Sequence, residues 1–279
     1  MRVATLLEEG VARLVPHEGL PDPRREARWL LARLLGRSEA WVLAHGDEEV
    51  GRVDADLWRA WIVRRAAGEP AHYIVGECEF YNRSFVVSPA VLIPRPETEL
   101  LVDGALSLVP TRDAAILDVG TGSGCVAITL ALELPDARLV ATDVSLEASA
   151  VARINARRLG ARTAVLVGDL ASHVRGGFDL VVANLPYVPD EDLADLPLEV
   201  RGHEPHVALL GGPGGHHIAE RLVDDLPRLL RAGGHALLER GPRQANALVE
   251  RAASIGLVEW KRNRDLAGFE RVLVLSRPS

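Results

Sequence analysis

The chain has 279 residues, 48% of them hydrophobic and 25% charged, which is enough for one or two domains with a buried core. Its formal net charge of -7 argues against a surface that attracts nucleic acid as a whole. No stretch approaches the ~20 apolar residues of a membrane span. Acidic residues stand where a signal peptide would be apolar, so we expect a cytoplasmic protein with no membrane partner. The two cysteines, Cys78 and Cys125, form no metal or disulfide pattern, and we expect no bound metal.

Residues 1–72 are expected to form a small helical domain. Apolar side chains recur there at three- and four-residue spacing, and Gly36 follows one run as a C-terminal stop. Asp54 is expected to be the N-cap of a later helix that ends near Gly68 and Pro70. This region also holds four of the five tryptophans, Trp29, Trp41, Trp58 and Trp61. They indicate either an aromatic core or a surface on which a partner docks, and both interpretations stay open.

Residues 73–96 are expected to form a β-hairpin and a proline-rich linker. β-forming residues flank residues 82–84, which predicts a hairpin with its turn at these three positions. Further along, Pro94 and Pro96 exclude a helix until about Glu97.

Residues 97–279 alternate between strand-like and helix-like patterns. Apolar runs of strand length occur at 115–119, 138–142, 164–167, 178–183 and 235–239. Helix-like runs lie between several of them, at 126–134, 146–159 and 218–230. Buried parallel strands joined by helical crossovers produce this alternation, so the predicted fold class is α/β. Two further strands, at 257–261 and 271–275, are expected to close the sheet as an antiparallel pair.

Three glycines, Gly120, Gly122 and Gly124, stand where the first of these strands turns into a helix. Glycine permits positive φ and lets the backbone approach a ligand closely, which suits a phosphate loop, a dinucleotide site or an adenosylmethionine site. A phosphate loop ends in Gly-Lys-Ser/Thr, whereas here Cys125 and Val126 follow Gly124. The dinucleotide fingerprint places glycine or alanine one position beyond Gly124, where this chain has Cys125. The spacing and the preceding Asp118 favour S-adenosylmethionine. The candidate cofactor loop consists of Gly120, Thr121, Gly122, Ser123 and Gly124.

Acidic residues follow the next two strands. Asp143 is placed to accept hydrogen bonds from both ribose hydroxyls of a nucleoside. Its alternative role is the N-cap of the helix that begins near Leu146. Asp169 is placed to accept from the exocyclic amine of adenine, or it is an ordinary turn residue. Together with the glycine loop, these residues predict a cofactor that carries a nucleoside.

The fourth strand is followed directly by Asn184, Leu185, Pro186 and Tyr187. This position is the carboxyl edge of the sheet, beside the expected cofactor. An amide nitrogen is a poor nucleophile with two N–H donors. We expect the Asn184 side-chain oxygen and the Leu185 carbonyl to accept one each and to aim the nitrogen at the methyl group. Pro186 would stiffen the loop and Tyr187 would pack on the flat amide. The alternative is a plain type I turn.

Several motifs resemble those of the peptide chain release factor glutamine methyltransferases, and the resemblance covers nearly the whole chain. The most specific is the Leu-Ile-Pro-Arg-Pro-Glu-Thr-Glu segment at residues 92–99, since a sibling family that acts on a ribosomal protein has Pro-Arg-Ser-Pro there. Further matches are the glycine loop from Asp118, the Asn155-Ala156 pair, the stretch from Glu204 to Gly212, and the tail residues Gln244, Asp265, Leu266 and Arg271.

The resemblance implies a class I (Rossmann-like) methyltransferase sheet over residues 97–279 and an N-terminal domain that helps to dock a release factor. It implies methylation of the glutamine in the Gly-Gly-Gln motif of that factor, with Arg95 and Glu97 bordering the substrate. Leu170 stands where some members have an aromatic residue against the cofactor, and here it offers only apolar contact. The family usually has proline at Leu185 and often aspartate at Gly214.

Two rival functions remain at this stage. One is methylation of an adenine exocyclic amine in DNA or RNA, which poses the same two-donor problem, but such enzymes normally carry a basic surface. The other is a non-catalytic cofactor-binding scaffold, in which Leu185 marks a decayed site. We expect a monomer that does not bind nucleic acid directly.

Overall fold

A computed structural model describes residues 1–15, 20–241 and 244–279. The chain divides into two compact units, one of Met1–Glu77 with Leu196–His203 and the other of Cys78–Asp195 with Glu204–Ser279. Most of the segment predicted as hairpin and linker therefore lies in the second unit. None of the described helices is long and apolar enough to cross a membrane.

The first unit is helical. Its helices are α1 (Val3–Leu14), α2 (Pro23–Leu35), α3 (Glu39–Ala44), α4 (Arg52–Ala66), α5 (Ala71–Val75) and, later in the chain, α9 (Leu198–His203). Trp58 is fully buried in the core, and its indole N–H donates to the Leu6 carbonyl over 3.0 Å. The other three tryptophans of this unit are only partly buried around that core. Of these four tryptophans, Trp58 is therefore the one that forms part of the buried core.

Helix ends in this unit follow local chemistry. Gly36 has a φ of 61° and ends α2 in the left-handed conformation, as the sequence predicts. The prediction of Asp54 as an N-cap is wrong, because α4 begins at Arg52 and Gly51 is the N-cap. Asp54 lies in the first turn instead, where a carboxylate interacts favourably with the helix dipole.

The second unit begins at Cys78, within a hairpin of β1 (Glu77–Phe80) and β2 (Arg83–Val86). Its turn lies earlier than predicted, because Tyr81 and Asn82 are the two turn residues, with φ of 50° and 57°. Positive φ at both central positions is what a type I′ turn requires, the turn that matches the twist of the two strands.

A seven-stranded sheet forms the centre of the second unit, in the order β5-β4-β3-β6-β7-β9-β8. The first five in this order are parallel to one another, and β9 and β8 close the sheet antiparallel. The strands are β3 (Ala115–Val119), β4 (Arg138–Asp143), β5 (Thr163–Val167), β6 (Phe178–Asn184), β7 (Leu230–Glu239), β8 (Val258–Arg264) and β9 (Glu270–Ser276). The expected α/β class and the closing antiparallel pair are confirmed.

Helices cover both faces of this sheet: α6 (Glu99–Leu108), α7 (Cys125–Glu133), α8 (Leu146–Leu159), α10 (His217–Leu229) and α11 (Ala245–Ser254). Side chains alternate across β3, so Leu117 packs in the apolar cluster of α10 and α11 while Ile116 packs in that of α6 and α7. The chain goes to one side of β3 for β4 and β5 and to the other for β6 and β7. This reversal opens a crevice at the carboxyl ends of β3 and β6, where ligands bind in open α/β sheets.

Candidate active site

The glycine loop follows β3 and requires glycine at its first positions. Gly120 and Gly122 have φ of 76° and 55°. The N–H groups of Gly120 and Thr121 both donate to the Thr142 carbonyl over 2.9 Å, which ties the loop to the end of β4. A Cβ on Gly120 would lie 2.9 Å from the Leu185 side chain, whereas one on Gly122 would meet no described atom within 4 Å. The backbone at Gly122 therefore has open space beside it.

Gly124 has a different position from the other two glycines. It is the N-cap of α7 with a φ of 83°. A Cβ there would lie 2.7 Å from Ile128 and 3.2 Å from Ala152. Gly124 thus allows α7 to pack closely on α8, and it is not part of the cavity lining described below.

Asp143 ends β4, and both of its carboxylate oxygens accept backbone hydrogen bonds. Oδ2 accepts from Gly122 N–H over 2.8 Å and Oδ1 from Ser145 N–H over 2.9 Å. Burial raises the pKa of Asp143, and the two N–H donors oppose that rise. The alternative role of Asp143 as N-cap is wrong, because the Ser145 hydroxyl caps α8 by accepting from Ala148 N–H over 3.1 Å. Each oxygen of Asp143 keeps a second lone pair for a ligand.

Asp118 is a buried carboxylate to which the sequence assigned no role of its own. It accepts from the Thr121 hydroxyl over 2.7 Å. Burial raises its pKa to about 7, against the lowering effect of that hydrogen bond. In the sequence, Asp118 was notable only for its position at the start of the glycine motif.

Asp169 and Leu170 follow β5 and lie on the cavity wall. The Asp169 carboxylate lies 2.5 Å from Arg221 Nη2, and both side chains are exposed, so the pair is only weakly stabilising. Leu170 has a φ of 48°, which is unusual for a residue other than glycine.

Asn184 lies at the carboxyl end of β6, where its side-chain amide has a defined orientation. Nδ2 donates to Thr98 Oγ1 over 3.1 Å, which directs the side-chain oxygen away from Thr98. The Leu185 side chain is only 5% exposed and packs under Gly120. At the position where the family usually has proline, leucine thus links this loop to the glycine loop.

Glycines and a glutamine support the loop that follows β6. The Gln244 side-chain amide donates to the Tyr187 carbonyl over 2.8 Å. A Cβ on Gly211 would lie 2.6 Å from the Pro186 carbonyl oxygen, and one on Gly215 would lie 2.2 Å from that of Tyr187. Neither position admits a side chain. Burial raises the pKa of the Tyr187 phenol to about 12, so the phenol is neutral at physiological pH.

The predicted substrate-side residues differ in their surroundings. The Arg95 guanidinium is paired with Glu204, which also accepts from Ile93 N–H over 3.2 Å. The Glu97 side chain is more exposed than that of Arg95, and its Oε1 lies 3.9 Å from Arg271 Nη2. Arg95 lines the cavity, whereas Glu97 does not.

A cavity of about 470 Å³ brings most of the predicted residues together within the second unit. Its lining includes Arg95, Gly120, Thr121, Gly122, Ser123, Asp143, Asp169, Leu170, Asn184, Leu185 and Pro186. Three predicted residues, Glu97, Gly124 and Tyr187, are not in that lining. Thr98 and Asp118 are, although the sequence had given neither a role of its own.

Comparison with known proteins places this architecture in a family. Family models match the chain over residues 5–76, as the PrmC N-terminal domain, and over residues 97–196, as the methyltransferase small domain. The chain is 42% identical over 275 residues to the release factor glutamine methyltransferase of Bordetella pertussis, covering 96% of this chain and 98% of the relative. The chain belongs to the release factor glutamine methyltransferase family.

A second member of the family is similar over the whole chain, and a solved structure shares the fold. The release factor glutamine methyltransferase of Moorella thermoacetica is 42% identical over 283 residues, with 99% of each chain covered. A solved methyltransferase from Pyrococcus furiosus shares the fold, with a TM-score of 0.56 at 19% identity over 79% of this chain and 98% of that one. As a member of the release factor glutamine methyltransferase family, the chain is a methyltransferase with S-adenosylmethionine as its methyl donor, as the sequence predicts.

Proposed function

We propose that this enzyme transfers a methyl group from S-adenosylmethionine to the side-chain amide nitrogen of the glutamine in the Gly-Gly-Gln motif of peptide chain release factors. The observation that carries the proposal is the orientation of Asn184. Its Nδ2 is committed to Thr98, and its position on the cavity wall leaves the side-chain oxygen as the acceptor for a planar NH2 group.

The residues at the end of β6 supply what an amide nucleophile lacks. The nitrogen lone pair is delocalised into the carbonyl, so the amide must be held in a reactive orientation. Asn184 Oδ1 accepts one N–H of the substrate glutamine and the Leu185 carbonyl accepts the other. The nitrogen then forms the new N–C bond as the S–C bond breaks, and one amide proton leaves to solvent afterwards. No general base is needed before the transfer.

The cavity fits the proposed donor. Gly122 gives close backbone access, and the Asp143 oxygens would accept from the ribose hydroxyls through their remaining lone pairs. Asp169 would accept from the adenine amine and Leu170 would pack on the ring, since both line the cavity. When bound, S-adenosylmethionine supplies an electrophilic methyl group on its sulfonium. A volume of about 470 Å³ lies within the range of cofactor sites.

A release factor is thus the proposed protein substrate, docked with the help of the N-terminal helical unit and with Arg95 and Glu97 beside the glutamine. We propose that the enzyme is a monomer and that it acts in the cytoplasm, where translation termination takes place. The net charge of -7 supports a protein substrate over a nucleic acid.

The test is methyl transfer from labelled S-adenosylmethionine to a recombinant release factor and to the same factor with its Gly-Gly-Gln glutamine changed to alanine. The proposal predicts label on the first and none on the second. DNA and RNA, offered in parallel, should stay unlabelled. Label that persists on the alanine variant, or that appears only on nucleic acid, would overturn the proposal and favour the adenine-amine alternative.

A further inference from the structure

A buried carboxylate with no role in the steps above lies beside Asn184. Glu239 ends β7 and is only 5% exposed. In the parallel pair of β6 and β7, Asn184 and Glu239 stand directly opposite each other. Side chains at opposed positions of neighbouring strands lie on the same face of a sheet, so the two polar groups share one face at its carboxyl edge.

Thr98 connects these two side chains. Its Oγ1 accepts from Asn184 Nδ2 over 3.1 Å, and hydrogen bonding from the same side chain acts on the Glu239 carboxylate and lowers its pKa. Thr98 is 2% exposed. Its hydroxyl has one proton and two lone pairs. An ionised Glu239 can only accept, so it takes that proton and leaves Thr98 as an acceptor for Asn184.

We infer that Thr98 and Glu239 are positioning residues, which together hold the Asn184 amide with its oxygen toward the glutamine NH2 group. The inference rests on the proposed function, in which Asn184 acts as an acceptor. When the Thr98 hydroxyl acts as an acceptor, only the NH2 group of the Asn184 amide can bond to it. Ionised Glu239 therefore determines which end of Asn184 faces the substrate.

Protonation of Glu239 reverses this arrangement. Among the described residues, Glu239 Oε2 has no hydrogen-bond partner, so a proton can occupy one oxygen without displacing a donor. A neutral Glu239 can donate to Thr98, and Thr98 can then donate to the oxygen of Asn184. The amide flips and presents N–H groups to a substrate that also presents N–H groups.

The surroundings of Glu239 place this change near neutral pH. Burial is the largest influence and raises its pKa to about 7, opposed by the Thr98 hydrogen bond. The charged and titratable groups that act on it come from the segment before α6, from β9, from the loop after β6 and from α7: Arg95, Glu97, Arg271, Tyr187 and Cys125. Glu97 raises the pKa further, whereas Arg271 and Arg95 lower it. Because the ionised form is the competent one, the rate should rise with pH through about 7 and then level off.

Single-turnover methyl transfer across this pH range tests the inference with Thr98→Val and Thr98→Ser. The isosteric Thr98→Val should lower the rate ~10-fold at high pH, the scale of one lost hydrogen bond, and remove the rise with pH, with unchanged S-adenosylmethionine affinity. Thr98→Ser restores the hydroxyl and should recover both the rate and the rise. Glu239→Gln should also lose the rise. A Thr98→Val enzyme that keeps the wild-type rate and pH profile, or loses rate only through weaker cofactor binding, would overturn the inference.

A second readout does not depend on the substrate. NMR of the enzyme with isotope-labelled asparagine reports the Asn184 side-chain NH2 resonances, which are identified by their loss in Asn184→Ala. They should shift with a midpoint near pH 7 in the wild type and not in Glu239→Gln. A shift in an enzyme that fails to methylate release factors would refute the proposed function alone. Active enzyme with no shift would refute the inference alone.

Discussion

Replacement of Asp143 by asparagine should weaken S-adenosylmethionine binding without unfolding the enzyme. The two carboxylate oxygens accept from Gly122 and Ser145 and, in the proposed complex, from the ribose hydroxyls. Asparagine keeps the shape but has only one acceptor oxygen. The NH2 group that replaces the other oxygen would face two donors, a backbone N–H and a ribose hydroxyl. One hydrogen bond to a charged acceptor contributes about 1.5–3 kcal/mol. The expected loss in affinity is therefore roughly 10- to 150-fold.

Isothermal titration calorimetry with S-adenosylmethionine measures this loss directly. Asp136→Asn is the matched control, because it removes the same charge from an exposed position before β4, outside the cavity lining. The control should bind like the wild type. If Asp143→Asn binds with wild-type affinity, the carboxylate has only a structural role at the loop and the reasoning about the ribose is refuted.

Two further substitutions test how the loop after β6 is supported. Leu185→Ala should lower the free energy of unfolding by about 2–4 kcal/mol in chemical denaturation, because the side chain is buried against Gly120, whereas the fully exposed Leu266→Ala should change it by less than about 0.5 kcal/mol. Equal effects would contradict this packing. Gln244→Glu keeps the shape but has no N–H for the Tyr187 carbonyl, so turnover should fall roughly tenfold at unchanged cofactor affinity, and a wild-type rate would show that this bond does not hold the loop.

Much of the candidate site was predictable because its motifs are local in sequence. Gly120 and Gly122 follow a buried strand and precede a helix, and Asn184 follows another, so chain order alone indicates the edge of the sheet at which they lie. The N-cap alternative for Asp143 was different, since Ser145 is an equally good cap by residue type. The observed contact of the Ser145 hydroxyl with Ala148 N–H excluded that alternative, and the ribose contact stays a prediction.

The parts that the sequence did not predict depend on contacts between distant segments. Glu239 reaches Asn184 only through the register of β6 and β7, and Thr98 comes from a segment 86 positions away from Asn184. A glutamate at a strand end is ordinarily solvated, so residue type alone gave no reason to place it in the site. The hairpin turn was misplaced for a local reason, because Tyr81 adopts the positive φ that bulky residues rarely do.

The rate of a single turnover in Asn184→Ala tests the central claim most directly, measured beside the calorimetric affinity for S-adenosylmethionine. The matched control is Asn246→Ala, at an exposed position outside the cavity lining. If the Asn184 oxygen holds the glutamine NH2 group, the rate should fall by ~100-fold or more while cofactor affinity stays within a few-fold of the wild type. A wild-type rate in Asn184→Ala would show that Asn184 is only a turn residue and would contradict the proposed mechanism.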